Sequence, residues 1–127
     1  MDVPIQKQGS CLIASIPTAL DDEDLTHLRD RIAEQVRRCR SRGVIVDLTR
    51  VDVVDSFATR TLDDLAAIVR LGGAEMVVVG IQPDVAIALA RFGLRFEVEA
   101  TAGDTDAGLA YLNRRVRCPK KRMRGRQ

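Results

Sequence analysis

The chain has 127 residues, a formal net charge of +2, 46% hydrophobic and 30% charged residues, and no tryptophan. These values fit a single globular domain whose core is built from Val, Leu, Ile and Ala. No apolar run approaches the roughly 20 residues needed to span a bilayer. The small net charge conceals an asymmetry. The last fourteen residues, RRVRCPKKRMRGRQ, hold eight Lys or Arg and no acid. Residues 1–113 therefore carry twelve basic against eighteen acidic side chains, a net −6. The division expected is one domain over 1–117 and a basic tail over 118–127 that is disordered in solution.

The start, MDVPIQKQGS, lacks the basic and apolar regions of a secretory signal. Cys11, Cys39 and Cys118 are odd in number and far apart, without metal-ligand spacing. Thiols in a reducing cytoplasm are the reading this supports, with no disulfide framework, metal or cofactor.

In chain order, residues 3–7 and 11–16 read as two strands of a hairpin, turning at Gly9. TALDDEDLTHLRDRIAEQVRRCRSRG reads as a helix. Acids crowd its start and arginines its end, as the helix macrodipole favours. Leu25, Leu28, Ile32 and Val36 mark its buried face, and Gly43 is the expected stop. GVIVDL (43–48) has the near-continuous apolar character of a strand covered on both faces. Ala58, Leu62, Leu65, Ala66 and Val69 form the stripe of a second helix, ended by Gly72 and Gly73. AEMVVVGI (74–81) is the next strand, and QPDVAIALARFG the next helix, with Pro83 near its start. A weaker strand near Phe96–Val98 and a helix from about Asp104 complete the pattern. Alternation after the hairpin predicts an α/β sandwich with a mixed, mostly parallel sheet and helices packed on it.

Signatures of catalysis are scarce. The single histidine, His27, lies among charged helix neighbours and reads as a solvated position, which leaves no Ser-His-Asp set. No P-loop, GxGxxG or HExxH pattern occurs. Gly72-Gly73 precedes a strand rather than a helix and reads as a terminator, not a phosphate loop. The chain is read as a non-enzyme.

The stretch LTRVDVVDSFATRTL joins a strand to a helix and places Asp52, Asp55 and Ser56 on one turn. Ser56 sits where a helix N-cap is expected. It is also a candidate phosphorylation site. A phosphate there would meet the positive end of a helix and two nearby carboxylates, and would add roughly two negative charges to the patch. The two readings are compatible.

GVIVDLTRVDVVDSFATRTL and LGGAEMVVVGIQPDVAIAL resemble the STAS domain family over about residues 3–113. Within that family they are most similar to the stressosome scaffold proteins that antagonise a serine/threonine switch kinase. The resemblance implies the STAS, or anti-sigma-factor-antagonist-like, sandwich. It implies phosphorylation at Ser56, with Thr59 as a minor second position, and a partner-binding surface of Asp52, Asp55, Ser56, Phe57, Gln82 and Pro83. The implied partners are an RsbT-like kinase, sequestered and then released on phosphorylation, RsbR-like STAS paralogues in a large self-associating cytoplasmic assembly, and an RsbX-like phosphatase that resets the state. Two other readings remain open. One is an anti-anti-sigma factor that binds an anti-sigma kinase directly. The other is a module that holds nucleic acid through the basic tail, which departs from the family pattern.

Overall fold

The computed structural model describes residues 3–18, 20–93 and 110. Its architecture follows from two signals, turn glycines and apolar strands. Gly9 adopts φ +64° and lets strand β1 (Ile5–Gln8) fold back antiparallel on β2 (Cys11–Ser15). Helix α1 (Asp22–Cys39) leads to β3 (Gly43–Asp47), and α2 (Ser56–Leu71) to β4 (Glu75–Val79), followed by α3 (Pro83–Arg91). The sheet order is β1-β2-β3-β4, with β2, β3 and β4 mutually parallel. This is the mixed α/β sheet expected from the alternation of elements. The anticipated strand near 96–98, the helix from 104 and the basic tail fall outside the described residues.

The apolar strands are buried on both faces, as their composition predicts. Leu12, Ala14, Val44, Val46, Met76 and Val78 join α1 residues Leu28, Ile32 and Val36 and α2 residues Leu62, Leu65 and Val69 in one core cluster. Val85 and Leu89 of α3 enter the same cluster. The alternate strand residues Ile13, Ile45, Val77 and Val79 are also at most 4% exposed. Each fully buried aliphatic side chain of this kind contributes about 1.5–3 kcal/mol. Ion pairs on α1 such as Arg37–Glu34 and Arg38–Glu34 are exposed and add little by comparison.

One boundary differs from the sequence expectation. Gly43 does not end α1. The helix closes at Cys39 with Arg40 in the left-handed region (φ 52°), its N–H donated to the Val36 carbonyl. Gly43 is instead the buried first residue of β3, registered against Cys11 on one side and Glu75 on the other. Arg40 in the left-handed region supplied the stop, and the glycine became the buried first residue of a central strand. Gly73 (φ +87°) at the end of α2 and Pro83 at the start of α3 sit where expected.

Gly80, directly after β4, has φ +71°, and a Cβ there would collide with Thr49 Oγ1 and approach Asp47 Oδ1 and the Thr49 amide at 3.0 Å. Gly73 also has positive φ but nothing within 4 Å of a Cβ. The expected result in urea unfolding is a loss of about 1 kcal/mol for Gly73→Ala, from backbone strain alone. Gly80→Ala adds the steric overlap and loses about 3 kcal/mol.

Candidate functional site

Because β3 and β4 are adjacent and parallel, their carboxyl ends lie on the same edge of the sheet, where open α/β sheets present their binding surfaces. The chain leaves β3 through a tight, hydrogen-bonded turn. Asp47 Oδ1 accepts from the Thr49 amide at 2.9 Å and from the Thr49 hydroxyl at 2.6 Å. Leu48 N donates to the Val79 carbonyl at 2.9 Å, and Val51 N to the Leu48 carbonyl at 2.9 Å. Gln82, in the loop after β4, donates its side-chain amide to the Thr49 carbonyl at 2.9 Å. The two loops are thus tied to each other as well as to their strands.

Leu48 and Val51 are buried, at 2% and 3% exposure, and anchor the segment that follows. Beyond them Asp52, Val53, Asp55 and Ser56 are exposed, and Phe57 is half-buried. Buried Leu48 and Val51 on one side and the α2 cap on the other flank the turn, in which Val54 packs against the core and Asp52, Val53, Asp55 and Ser56 face solvent. The site residues expected from the sequence fall in two groups. Asp52, Asp55, Ser56 and Phe57 share this turn and the first turn of α2. Gln82 and Pro83 sit at the start of α3 and join the first group through the Gln82–Thr49 bond.

The cap of α2 corrects the sequence reading. Asp55, not Ser56, is the N-cap. Asp55 has extended backbone (φ −118°, ψ −174°), and its carboxylate accepts from the Ala58 amide at 2.9 Å. Ser56 is the first helical residue, exposed, at the positive end of the helix. The carboxylate one residue earlier already satisfies the amide that the serine would have taken, which leaves the hydroxyl outside the cap.

Two neighbouring hydroxyls are placed differently. Thr59 is 1% exposed and donates to the Asp55 carbonyl at 3.0 Å. Thr61 is 6% exposed and donates to the Phe57 carbonyl at 2.9 Å. Phosphoryl transfer to Thr59 therefore requires the first turn of α2 to open. The structural task of Gln82 was not legible beforehand. Its side chain makes no cap bond to α3 because it is directed to Thr49. Asp47 likewise serves local backbone and Thr49 rather than an external group. His27 is exposed on α1, and among the described residues no cluster of His, Cys, Asp and Glu could hold a metal ion. No helix among them is long and apolar enough to cross a membrane.

The STAS domain family model matches residues 2–107. The RsbT co-antagonist protein RsbRA of Bacillus subtilis is 27% identical over 90 residues, which cover 71% of this chain and 33% of that protein. The chain thus spans about a third of the length of that relative. Among solved structures, a serine-to-glutamate variant of RsbS from Moorella thermoacetica superposes with a TM-score of 0.82 at 30% identity, covering 92% of this chain and 99% of that one. A chain from the molecular architecture of the stressosome, a signal integration and transduction hub, matches with a TM-score of 0.76 at 29% identity, covering 90% and 99%. The chain belongs to the STAS domain family.

The cap assignment has a direct test in urea unfolding. Asp55→Ala is expected to lose about 1 kcal/mol, the usual value of an N-cap side chain. Ser56→Ala is expected to stay within about 0.5 kcal/mol of the parent, as exposed substitutions outside such features do.

Proposed function

We propose, from membership of this family, that the chain is a non-enzymatic regulatory scaffold of a stressosome-type assembly in the cytoplasm. It sequesters a serine/threonine switch kinase of the RsbT type and releases it when Ser56 is phosphorylated. The observation that carries the reading is the placement of Ser56, an exposed residue outside the helix cap, on the turn that follows the Asp47–Thr49–Gln82 contact at the strand ends. A kinase can reach this hydroxyl without opening α2. The likeness to RsbS, to RsbRA and to a stressosome chain supports the assembly and its RsbR-like partners.

In this reading the kinase docks on the surface formed by Asp52, Asp55, Ser56, Phe57, Gln82 and Pro83. A phosphoryl group on Ser56 is tolerated by the domain, since it sits at the positive end of α2. It adds roughly two charges beside two carboxylates, so a partner complementary to the unmodified turn loses affinity. Binding and folding respond to different groups, the hydroxyl for the partner and the Asp55 carboxylate for the helix. A phosphatase of the RsbX type restores the docking surface by removing the charge.

The test is incubation with an RsbT-like kinase and Mg-ATP, read by intact-mass and fragment spectrometry and by kinase affinity. One phosphate on Ser56 is expected, and none on Ser56→Ala. Ser56→Ala is expected to hold the kinase without releasing it, and Ser56→Asp to bind it at least about tenfold more weakly, the equivalent of 1.4 kcal/mol. Equal affinity for all three forms would remove the switch. Light scattering of the chain mixed with an RsbR-like paralogue is expected to give a large common assembly. A monomer or dimer that binds the kinase alone would favour direct anti-sigma-factor antagonism instead.

A further inference from the structure

The described residues carry charge of opposite sign at the two edges of the sheet. Because β2, β3 and β4 are parallel, α1 and α2 each start at the carboxyl edge and end at the amino edge. The carboxyl edge, where Ser56 lies, holds six exposed carboxylates. They are Asp21, Asp22 and Glu23 at the start of α1, Asp52 and Asp55 on the turn, and Asp84 in the first turn of α3. Its exposed cations are Arg50, after β3, and Arg60, in the second turn of α2, so acids prevail. The amino edge is the reverse. Arg37, Arg38, Arg40 and Arg42 at the end of α1 and Arg70 at the end of α2 are all exposed. Of the acids nearby, Glu34 is held by Arg37 and Arg38, Asp30 by Arg29, and Glu75 is half-buried.

Each edge also carries an apolar feature. At the basic edge Leu71, the last residue of α2, is 88% exposed, the most of any large apolar side chain among the described residues. It lines one groove with Ile68, Arg37, Arg40 and Arg42. At the acidic edge an apolar cavity of about 150 Å³ lies between the start of α1 and the Ser56 turn, lined in part by Leu20, Leu25, Val51, Val53, Val54 and Ala58. A cavity of roughly this size takes one benzene-sized group, and the isobutyl group of leucine is smaller.

We propose that these two ends join copies of this chain head to tail. Leu71 of one copy enters the cavity of the next, and the arginines around it meet the carboxylates around the cavity. Leu71 and the cavity lie at opposite ends of the sixteen-residue α2, about 24 Å apart, so one copy cannot fill its own cavity. Unlike charge draws the two different ends together, and like charge opposes pairing of identical ends. A heterologous contact of this kind repeats into a stack or a ring. The contact covers the turn that carries Ser56. In a stack only one terminal copy leaves that turn open, and in a ring none does, so self-association sets how many copies another protein can reach. A phosphoryl group on Ser56 would add charge to the acidic end and tighten the contact. That last step rests on the proposed phosphorylation, whereas the contact itself does not.

The experiment is sedimentation velocity on the full chain at low salt, across the micromolar to millimolar range. The parent is expected to grow past the mass of two chains as concentration rises. Leu71→Asp blocks the basic end and Val53→Arg the acidic end, and each alone is expected to stay monomeric. Mixed one to one, they are expected to form a pair and nothing larger, because each keeps one working end. Both positions are exposed, and both variants are expected to keep the parent's urea midpoint. Arg40→Glu, which leaves the apolar groups in place, is expected to weaken the contact at least about tenfold. A monomeric parent, a mixture that forms no pair, or association that survives Leu71→Asp would overturn the contact. Loss with Leu71→Asp but not with Val53→Arg would assign the basic end to a symmetric pair and overturn head-to-tail joining. Salt at about 1 M, which shortens the screening length to about 3 Å, is expected to dissociate the copies. Association indifferent to salt would overturn the pairing of charged ends. No kinase enters the experiment, so the contact and the Ser56 switch fail separately.

Discussion

The arrangement depends most on the contact where β3 and β4 run out. Asp47 holds the Thr49 amide and hydroxyl, Gln82 reaches across to the Thr49 carbonyl, and Gly80 leaves the space that Thr49 occupies. None of these bonds is large singly, since an intramolecular hydrogen bond contributes about 1 kcal/mol net. Together they fix the exits of two parallel strands relative to each other. With them, Thr49 and Gln82, 33 positions apart in sequence, join the two loops into one face.

Above that contact the molecule separates two requirements that commonly conflict. A binding surface must expose polar and charged groups, and a helix start must satisfy its amides. Asp55 meets the second requirement with its side chain, while Ser56 and Asp52 face solvent. Leu48 and Val51, buried on the near side, give the exposed turn its footing. The turn is therefore anchored by buried side chains where it leaves the core and polar at its outermost point.

The order of elements was legible because the β-branched runs 43–48 and 74–81 and the 3-4 spacing of α1 and α2 are strong periodic signals. The turn and its residues were legible because the composition of VDVVDSF is unusual for a simple connection. The end of α1 was not, because Arg40 adopts a conformation that sequence patterns assign to glycine, and Gly43 was needed in the sheet. The cap of α2 was ambiguous by one residue, since Asp and Ser are both good caps and only backbone geometry separates Asp55 from Ser56. The Gln82–Thr49 bond links positions 82 and 49, and no local pattern encodes a contact of that range. The burial of Thr59 follows from helix phase, which places it one turn before Leu62 and two before Ala66 on the inner face.

A capping carboxylate next to an unengaged serine also bears on how long the protein lasts. Proteases act on the fraction of molecules that open, and that fraction follows folding free energy. Here the side chain that secures α2 is Asp55, not the exposed Ser56 beside it. A charge placed on Ser56 alters what the surface attracts while leaving the helix closure to Asp55. On the proposed phosphorylation, marked and unmarked copies would then be degraded at similar rates, the phosphate adding only the modest attraction of the helix's positive end set against repulsion from two carboxylates. A cell could vary the proportion of marked molecules over many cycles without depleting the pool, and the memory of a signal would be set by enzymes acting on the mark rather than by turnover of the protein.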